Sequence, residues 1–216
     1  GEGVEVGIGM AILDHLSDDV PGLSQTATAP SSAPSVVDTP KDVTAKITGT
    51  GARAKRPGSK SFSPIPEGEH VLPPGTRLEL SKNDAATLKR GPARADLSGP
   101  GAFVVTDNPR RIVDPVLGSV VLRAEGQDVA MEIPGGTVTA LGGEELSLGE
   151  VRVDSRGSVE VQVRAGSVRV DLPDASSTLS AGEAGSIRKG KLSIAGRGPS
   201  YFDLVLAAGG SLVVHD

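Results

Sequence analysis

Histidines and clustered carboxylates are the side chains of this sequence that could bind a metal ion or transfer a proton. The three histidines lie in distant segments, at His15, His70 and His215. None has a second histidine or a cysteine at the spacing of a metal site. Asp14, Asp18 and Asp19 lie close together, but the glycine-punctuated spacing of a calcium loop is missing. We interpret the histidines as surface or capping residues and the aspartates as a solvated acidic turn.

Nucleophilic and acid–base catalysis has no sequence pattern either. There is no GxSxG elbow, no helix signal to carry one, and no cysteine. Glu144 and Glu145 are adjacent carboxylates in a predicted loop, without the apolar segment that would enclose a catalytic acid. The sequence therefore predicts no catalytic, cofactor-binding or metal-binding residue and no enzyme activity.

A basic cluster lies in the stretch "GTGARAKRPGSK", at Arg53, Lys55, Arg56 and Lys60. The stretch is not a phosphate loop, because its glycines are too far apart and serine precedes lysine after the last of them. Binding of nucleic acid or anionic lipid is an alternative, but no aromatic residue is interleaved before Phe62 and the net charge of the chain is -5. We interpret the cluster as a charged connector and predict no nucleic-acid partner.

The elements that would position these residues are short β-strands. From about His70, apolar runs recur roughly every ten residues between Gly, Pro, Asn and Asp, with no helix signal between them. The segments "GPGAF" and "AGGSL" are interpreted as glycine turns. No apolar run reaches about 18 residues, so no membrane span is predicted. We predict an all-β domain, a stacked antiparallel meander, sandwich or β-solenoid-like fold, with an extended N-terminal arm.

The predicted division is an arm or linker over residues 1–66 and a β domain over residues 67–216. Residues 24–42 are rich in Ser, Thr, Ala and Pro, which is typical of a linker. Apolar positions spaced for strand addition also occur in the arm, namely Val4, Val6, Ile8, Val36, Val37, Val43 and Ile47. We expect part of the arm to dock as a strand on its own domain or on a neighbouring copy. The alternative is that the arm lies along the surface as ordered coil. Deletion of residues 1–45 is expected to leave the core folded but to abolish assembly or lower the melting point.

The stretch "VEVQVRAGSVRVDLP", residues 159–173, alternates valine with polar residues. A two-residue loop at Ala165 and Gly166 predicts a hairpin that pairs Val163 with Val168. The other pairs of that hairpin would be Val161 with Val170, Val159 with Leu172, and Gln162 with Arg169. Upstream, "DSRGS" predicts a three-residue loop in which Gly157 supplies positive φ. That second loop pairs Val153 with Val159 and Val151 with Val161.

Residues 68–194 resemble the FecR-type domain, a β module of the bacterial envelope. The resemblance rests on an ordered set of segments: "LPPGTRLELSKNDAATLKRG", "ADLSGPGAFVV", "VLGSVVLRA", "PGGTVTAL" and "VEVQVRAGSVRVDLPDASSTLSAGEAGSIRKGKL". Members often carry an "RGT" triplet before the later strands, where this chain has only "PGGT". Because the matching positions are structural glycines and valines, the resemblance implies no binding residues.

The resemblance implies a non-enzymatic domain outside the inner membrane, periplasmic or at the cell surface. The best-known members relay a signal from an outer-membrane transporter to a sigma factor. We therefore expect a module that binds a protein partner of the envelope. The alternative is a structural subunit of a filament or layer, a homo-oligomer assembled by strand exchange through the arm. We interpret both chain ends as cut from a longer chain and expect a processed chain or a fragment.

Overall fold

A computed structural model describes residues 42–195 of the chain, and within them it contains sixteen β-strands and no helix. The predicted all-β class is confirmed. The strands are β1 Val43–Thr48, β2 Arg53–Lys55, β3 Ser63–Pro64, β4 Gly68–Leu72, β5 Arg77–Leu80, β6 Ala85–Arg90, β7 Ala93–Asn108, β8 Arg111–Ala124, β9 Val129–Ile133, β10 Gly136–Ala140, β11 Ser147–Val153, β12 Val159–Ala165, β13 Ser167–Leu172, β14 Ala175–Ser180, β15 Ala184–Arg188 and β16 Lys191–Ala195.

The strands form two antiparallel sheets. The larger sheet has twelve strands, with the order β16-β15-β12-β11-β8-β7-β5-β2-β3 along its main path. A branch joins β6 to β7, β1 to β6 and β4 to β1. The smaller sheet has the order β14-β13-β10-β9. The start of β8 meets β9, where the Ala130 amide donates to the Arg110 carbonyl at 2.8 Å.

The long strand β7 connects the branch to the main path of the larger sheet. Its first part pairs with β6 and its second part with β5. Pairing with β8 is irregular between Ser98 and Ala102, across Gly99 and the cis-linked Pro100. The prediction that "GPGAF" is a turn is therefore wrong. Its glycines form a bulge inside the continuous strand β7, at the point where the paired strand changes from β6 to β5.

One hydrophobic cluster contains the buried residues of both sheets. It consists mainly of Val, Leu, Ile and Ala, which alternate with polar residues along the strands. Phe103 is its largest fully buried side chain. This alternation is the pattern expected of strands with one buried and one solvated face.

The folded structure begins upstream of residue 67, where the sequence analysis placed the start of the domain. Strand β1 lies between β4 and β6 of its own chain. Val43 and Ala45 are fully buried and Ile47 almost so. Val43 and Ile47 therefore belong to a docked strand within the same chain. A deletion of residues 1–45 would remove part of the core, so our expectation for that variant is reversed. The other apolar positions of the arm lie outside the described residues.

The predicted hairpin of β11 and β12 is confirmed. Val151 pairs with Val161 and Val153 with Val159, as the "DSRGS" loop requires. Gly157 has a φ of 75°, in the left-handed region that glycine adopts without strain. Asp154 closes this loop by accepting hydrogen bonds from two backbone amides of the loop at 2.8 Å.

The predicted hairpin of β12 and β13 is wrong. Strand β12 pairs with β11 and β15 in the larger sheet, whereas β13 pairs with β10 and β14 in the smaller one. The chain passes from one sheet to the other at Gly166, whose φ is 63°. The predicted buried face is nevertheless correct, because Val159, Val161, Val163, Val168, Val170 and Leu172 are all buried.

Candidate functional site

The end of the larger sheet is formed by the hairpin of β15 and β16. Arg188 pairs with Lys191 across a two-residue turn, in which Lys189 and Gly190 have φ values of 51° and 74°. Two successive positive φ values are the geometry of a tight hairpin turn. The turn fixes the register of β16 against β15, and among the described strands β16 has no second neighbour.

The backbone of β16 offers hydrogen-bonding groups at this edge. In a two-residue hairpin the residues that flank the turn form a hydrogen-bonded pair, and such pairs alternate along an antiparallel ladder. The amide of Ser193 therefore faces β15. The amides of Leu192 and Ile194 point away from β15, toward the open edge. An extended peptide could pair with them.

Ile194 is half exposed, at 50%. Leu192, two residues earlier on the same face, is partly buried against the core. The apolar face of β16 thus extends beyond the point where the core covers it. A large apolar side chain at an unpaired strand edge is a feature of surfaces that bind a partner or aggregate.

A groove of about 470 Å³ lies beside this edge, over β11, β12, β15 and β16. Small residues contribute much of its lining: Ala184, Gly185, Ser186, Ser193 and Ala195. Because these side chains are short, a ligand could approach the backbone of the sheet closely.

Charged residues from β11 and β12 form the other wall of the groove. The side chain of Glu150 is only 13% exposed and accepts a hydrogen bond from the Ser119 hydroxyl at 3.2 Å. The guanidinium groups of Arg152 and Arg164 both bind Glu150. Arg152 also lies 4.0 Å from Glu160. Carboxylate and guanidinium groups therefore both line this wall, at Glu150, Glu160 and Arg152, which would favour a polar partner.

The residues singled out in the sequence do not gather at this groove. His70 lies on β4, and its Nε2 atom is 2.7 Å from the Pro66 carbonyl oxygen, a local contact. Glu144 and Glu145 are exposed in the segment between β10 and β11. The residues His15, His215, Asp14, Asp18 and Asp19 lie outside the described part of the chain.

The basic cluster is divided between a strand and a turn. Arg53 and Lys55 lie on β2, and Arg56 and Lys60 follow it. The Arg53 guanidinium lies 5.7 Å from the centre of the Phe62 ring, a cation–π distance. Ala52 and Ala54 are buried, so this stretch contributes to the core as well as connecting strands.

No three or more His, Cys, Asp or Glu side chains in residues 42–195 are grouped so that they could hold a metal ion. Nor does that part of the chain contain a helix long and apolar enough to span a membrane.

No protein-family model and no curated protein matches this chain. Two crystal structures of a "putative anti-sigma factor" from Parabacteroides distasonis ATCC 8503 are similar to it. The first is 15% identical, covers 62% of this chain and 65% of its own, and has a TM-score of 0.46. The second is 17% identical, covers 55% and 58%, and has a TM-score of 0.45. This chain thus spans less than two thirds of their length, and no functional conclusion follows from a likeness of this size.

Proposed function

We propose that this chain is a non-enzymatic β module of the bacterial envelope or cell surface that binds a protein partner. The edge of β16 beside the groove, which no other strand of the described residues 42–195 covers, is the observation that carries the proposal. The resemblance of residues 68–194 to FecR-type domains supports the location and the absence of catalysis. The partner adds an extended segment to β16 as a further strand of the larger sheet.

Strand addition explains how each part of the site contributes. The outward amides and carbonyls of β16 bind the backbone of the partner, which provides affinity without sequence preference. Ile194 contacts an apolar side chain of the added strand. The small residues of β15 and β16 leave room for alternate side chains of the partner, and the charges around Glu150 select among them. Specificity therefore comes from the groove.

Selection of linear peptides from a displayed library against the pure full chain tests this function. Synthetic copies of the selected peptides are then titrated calorimetrically against the wild type and variants. Ile194→Pro removes the outward amide while leaving the amide of Ser193 paired with β15, so we expect binding to be abolished. Ile194→Ala retains the amide and should weaken binding only several-fold.

Val71→Ala is the matched control, because Val71 is 55% exposed on β4, at a different edge of the same sheet. This variant should bind like the wild type, and all three variants should melt within a few degrees of it. Equal binding of wild type and Ile194→Pro would contradict the proposed site. Recovery of the native protein from the cytoplasm, and not from the periplasm or cell surface, would contradict the proposed location.

Assembly into a filament through the arm stays a prediction. Strand β1 pairs within its own chain, so Val43 and Ile47 already have partners there. Any exchange between copies through the remaining arm positions concerns residues outside 42–195.

A further inference from the structure

Three cationic side chains lie side by side across three strands on the outer face of the larger sheet. Lys89 of β6 is paired with Arg94 of β7, and Arg94 is paired with Arg123 of β8. Directly opposed residues on an antiparallel pair have Cβ atoms about 5 Å apart. We call Lys89, Arg94 and Arg123 the cationic row.

Like charges placed directly opposite each other destabilise a sheet unless a counter-charge lies nearby. Within the cationic row, Arg94 has such a partner, since its Nε and Nη2 atoms donate to Asp96 at 3.2 and 3.0 Å. Asp96 also accepts a hydrogen bond from the Thr87 hydroxyl at 2.7 Å. Within residues 42–195, neither Lys89 nor Arg123 forms an ion pair. Two of the three charges therefore have no ion-pair partner within the described structure.

Two adjoining grooves follow the cationic row, and Lys89 and Arg94 line both of them. One has a volume of about 380 Å³ and also contains Arg123. The other has a volume of about 260 Å³ and adds Lys46 and the hydroxyl groups of two threonines. Glu69 and Glu125 each contribute one carboxylate to these grooves. Two grooves that share Lys89 and Arg94 fit an elongated ligand better than a single small anion.

We propose that the cationic row binds an acidic segment of a protein partner. No aromatic side chain lines either groove, so neither offers the stacking platform used for nucleic-acid bases. Recognition there depends on charge and hydrogen bonding. The planar fork of an arginine matches a carboxylate with two parallel hydrogen bonds, and Arg123 is free within the described structure to make them. Lys89 supplies a more adaptable point charge.

This surface is separate from the edge of β16, and its test does not depend on strand addition there. Pairing at β16 uses backbone amides, whereas the cationic row uses side-chain charges. A result that contradicts binding at one of the two surfaces therefore does not contradict binding at the other.

Fluorescence anisotropy with a labelled hexaglutamate peptide and the full chain tests the proposal. Lys89→Gln and Arg123→Gln each remove one charge, and each should weaken binding by roughly fivefold. Arg123→Glu should weaken it by about tenfold or more, because it adds a repulsive charge. Binding to the wild type should also fall steeply as salt increases.

Lys82→Gln is the matched control, since it removes one exposed positive charge between β5 and β6, outside the cationic row. It should bind hexaglutamate like the wild type. If Lys82→Gln weakens binding as much as Arg123→Gln does, the attraction is a general charge effect and the proposal is wrong. Absence of binding, or stronger binding to heparin or to vesicles of phosphatidylglycerol than to the peptide, would also overturn it.

Discussion

Gly149 on β11 lies directly against Val168 on β13, and a Cβ atom added at Gly149 would stand 2.7 Å from a methyl group of Val168. The two strands belong to different sheets. Glycine at this position therefore allows the larger sheet to approach the smaller one. Gly149→Ala should lower the free energy of unfolding by about 1–3 kcal/mol through overpacking. Urea denaturation measures this loss.

A second substitution identifies the contact responsible. Val168→Ala in the Gly149→Ala background removes the clashing methyl groups, so the double variant should lose less stability than the two single losses together. Gly143→Ala is the control, because its added Cβ atom would meet nothing within 4 Å. Strict additivity of Gly149→Ala and Val168→Ala would show that the two residues do not share a contact.

The buried valine face of β12 gives the second prediction. Val161 is 1% exposed, so Val161→Asp buries an unpaired carboxylate and should unfold the domain. Glu160, its neighbour, is exposed, and Glu160→Lys should change the free energy of unfolding by less than about 1 kcal/mol. Comparable shifts in melting temperature for the two variants would show that the face is assigned incorrectly.

Alternation along β12 and β13 predicted which valines are buried but not which strands are paired. A hairpin and a passage between two sheets bury the same alternate residues, and each is compatible with positive φ at Gly166. Val163 and Val168 therefore satisfy both arrangements equally. The pairing is determined by strands that are distant in sequence, because β12 pairs with β15 and β13 pairs with β10. No local pattern contains that information.

The candidate surfaces were missed for the same reason. Lys89, Arg94 and Arg123 come from three strands and become neighbours only through the register of the larger sheet. The groove beside β16 likewise depends on β12 lying next to β15. The basic cluster after Gly51 drew attention in the sequence because its charges are contiguous. Residues that are contiguous in sequence need not lie side by side on one face of a sheet. The neighbours on that face come from adjacent strands.

Strand β1 gives the third prediction. The side chain of Ile47 is buried in the core, and Ile47→Ala should cost about 2–4 kcal/mol of stability through lost contacts and a cavity. Thr48 is exposed on the other face of the strand, so Thr48→Ala should have little effect on stability. Chemical denaturation of both variants tests whether β1 is an integral strand. Near-equal stabilities of Ile47→Ala and Thr48→Ala would show that β1 is a dispensable arm and not an integral strand.

The carboxylate of Asp171 gives a prediction about pH. The Ser176 hydroxyl donates to it at 2.6 Å and Arg169 at 2.8 Å, and these contacts lower the pKa of Asp171 below its ordinary value. A lowered pKa means that ionised Asp171 stabilises the fold. That contribution is present above the unfolded pKa of about 3.9 and is lost as pH falls through the folded pKa.

Ser176→Ala removes the hydrogen bond that lowers the pKa of Asp171 the most, so this pKa should rise toward its ordinary value. The carboxyl titration is followed by NMR. Ser177→Ala removes a neighbouring hydroxyl that does not donate to Asp171 and serves as the control. A pKa for Asp171 that is the same in all three proteins would show that the Ser176 contact does not govern it.

Asp84 connects two segments that are far apart in sequence, and its removal gives the last prediction. It is 5% exposed, and its carboxylate accepts hydrogen bonds from the amides of Gly51 at 3.0 Å and Ser81 at 2.7 Å. Its carbonyl accepts a further bond from the Gly99 amide at 2.9 Å. The side chain thus joins the turn before β6 to the segment after β1.

Asp84→Ala leaves the amides of Gly51 and Ser81 without their acceptors. Hydrogen bonds to a charged group contribute more than neutral ones, so we expect a loss of about 3 kcal/mol in the free energy of unfolding. Asp84→Asn keeps one carbonyl oxygen and should lose an intermediate amount. Glu145→Ala, in an exposed loop, removes a carboxylate without either contact and should be near neutral. If Asp84→Ala were as stable as Glu145→Ala, the two amides would have to find other acceptors, and Asp84 would not be what holds the segment after β1 to the sheet.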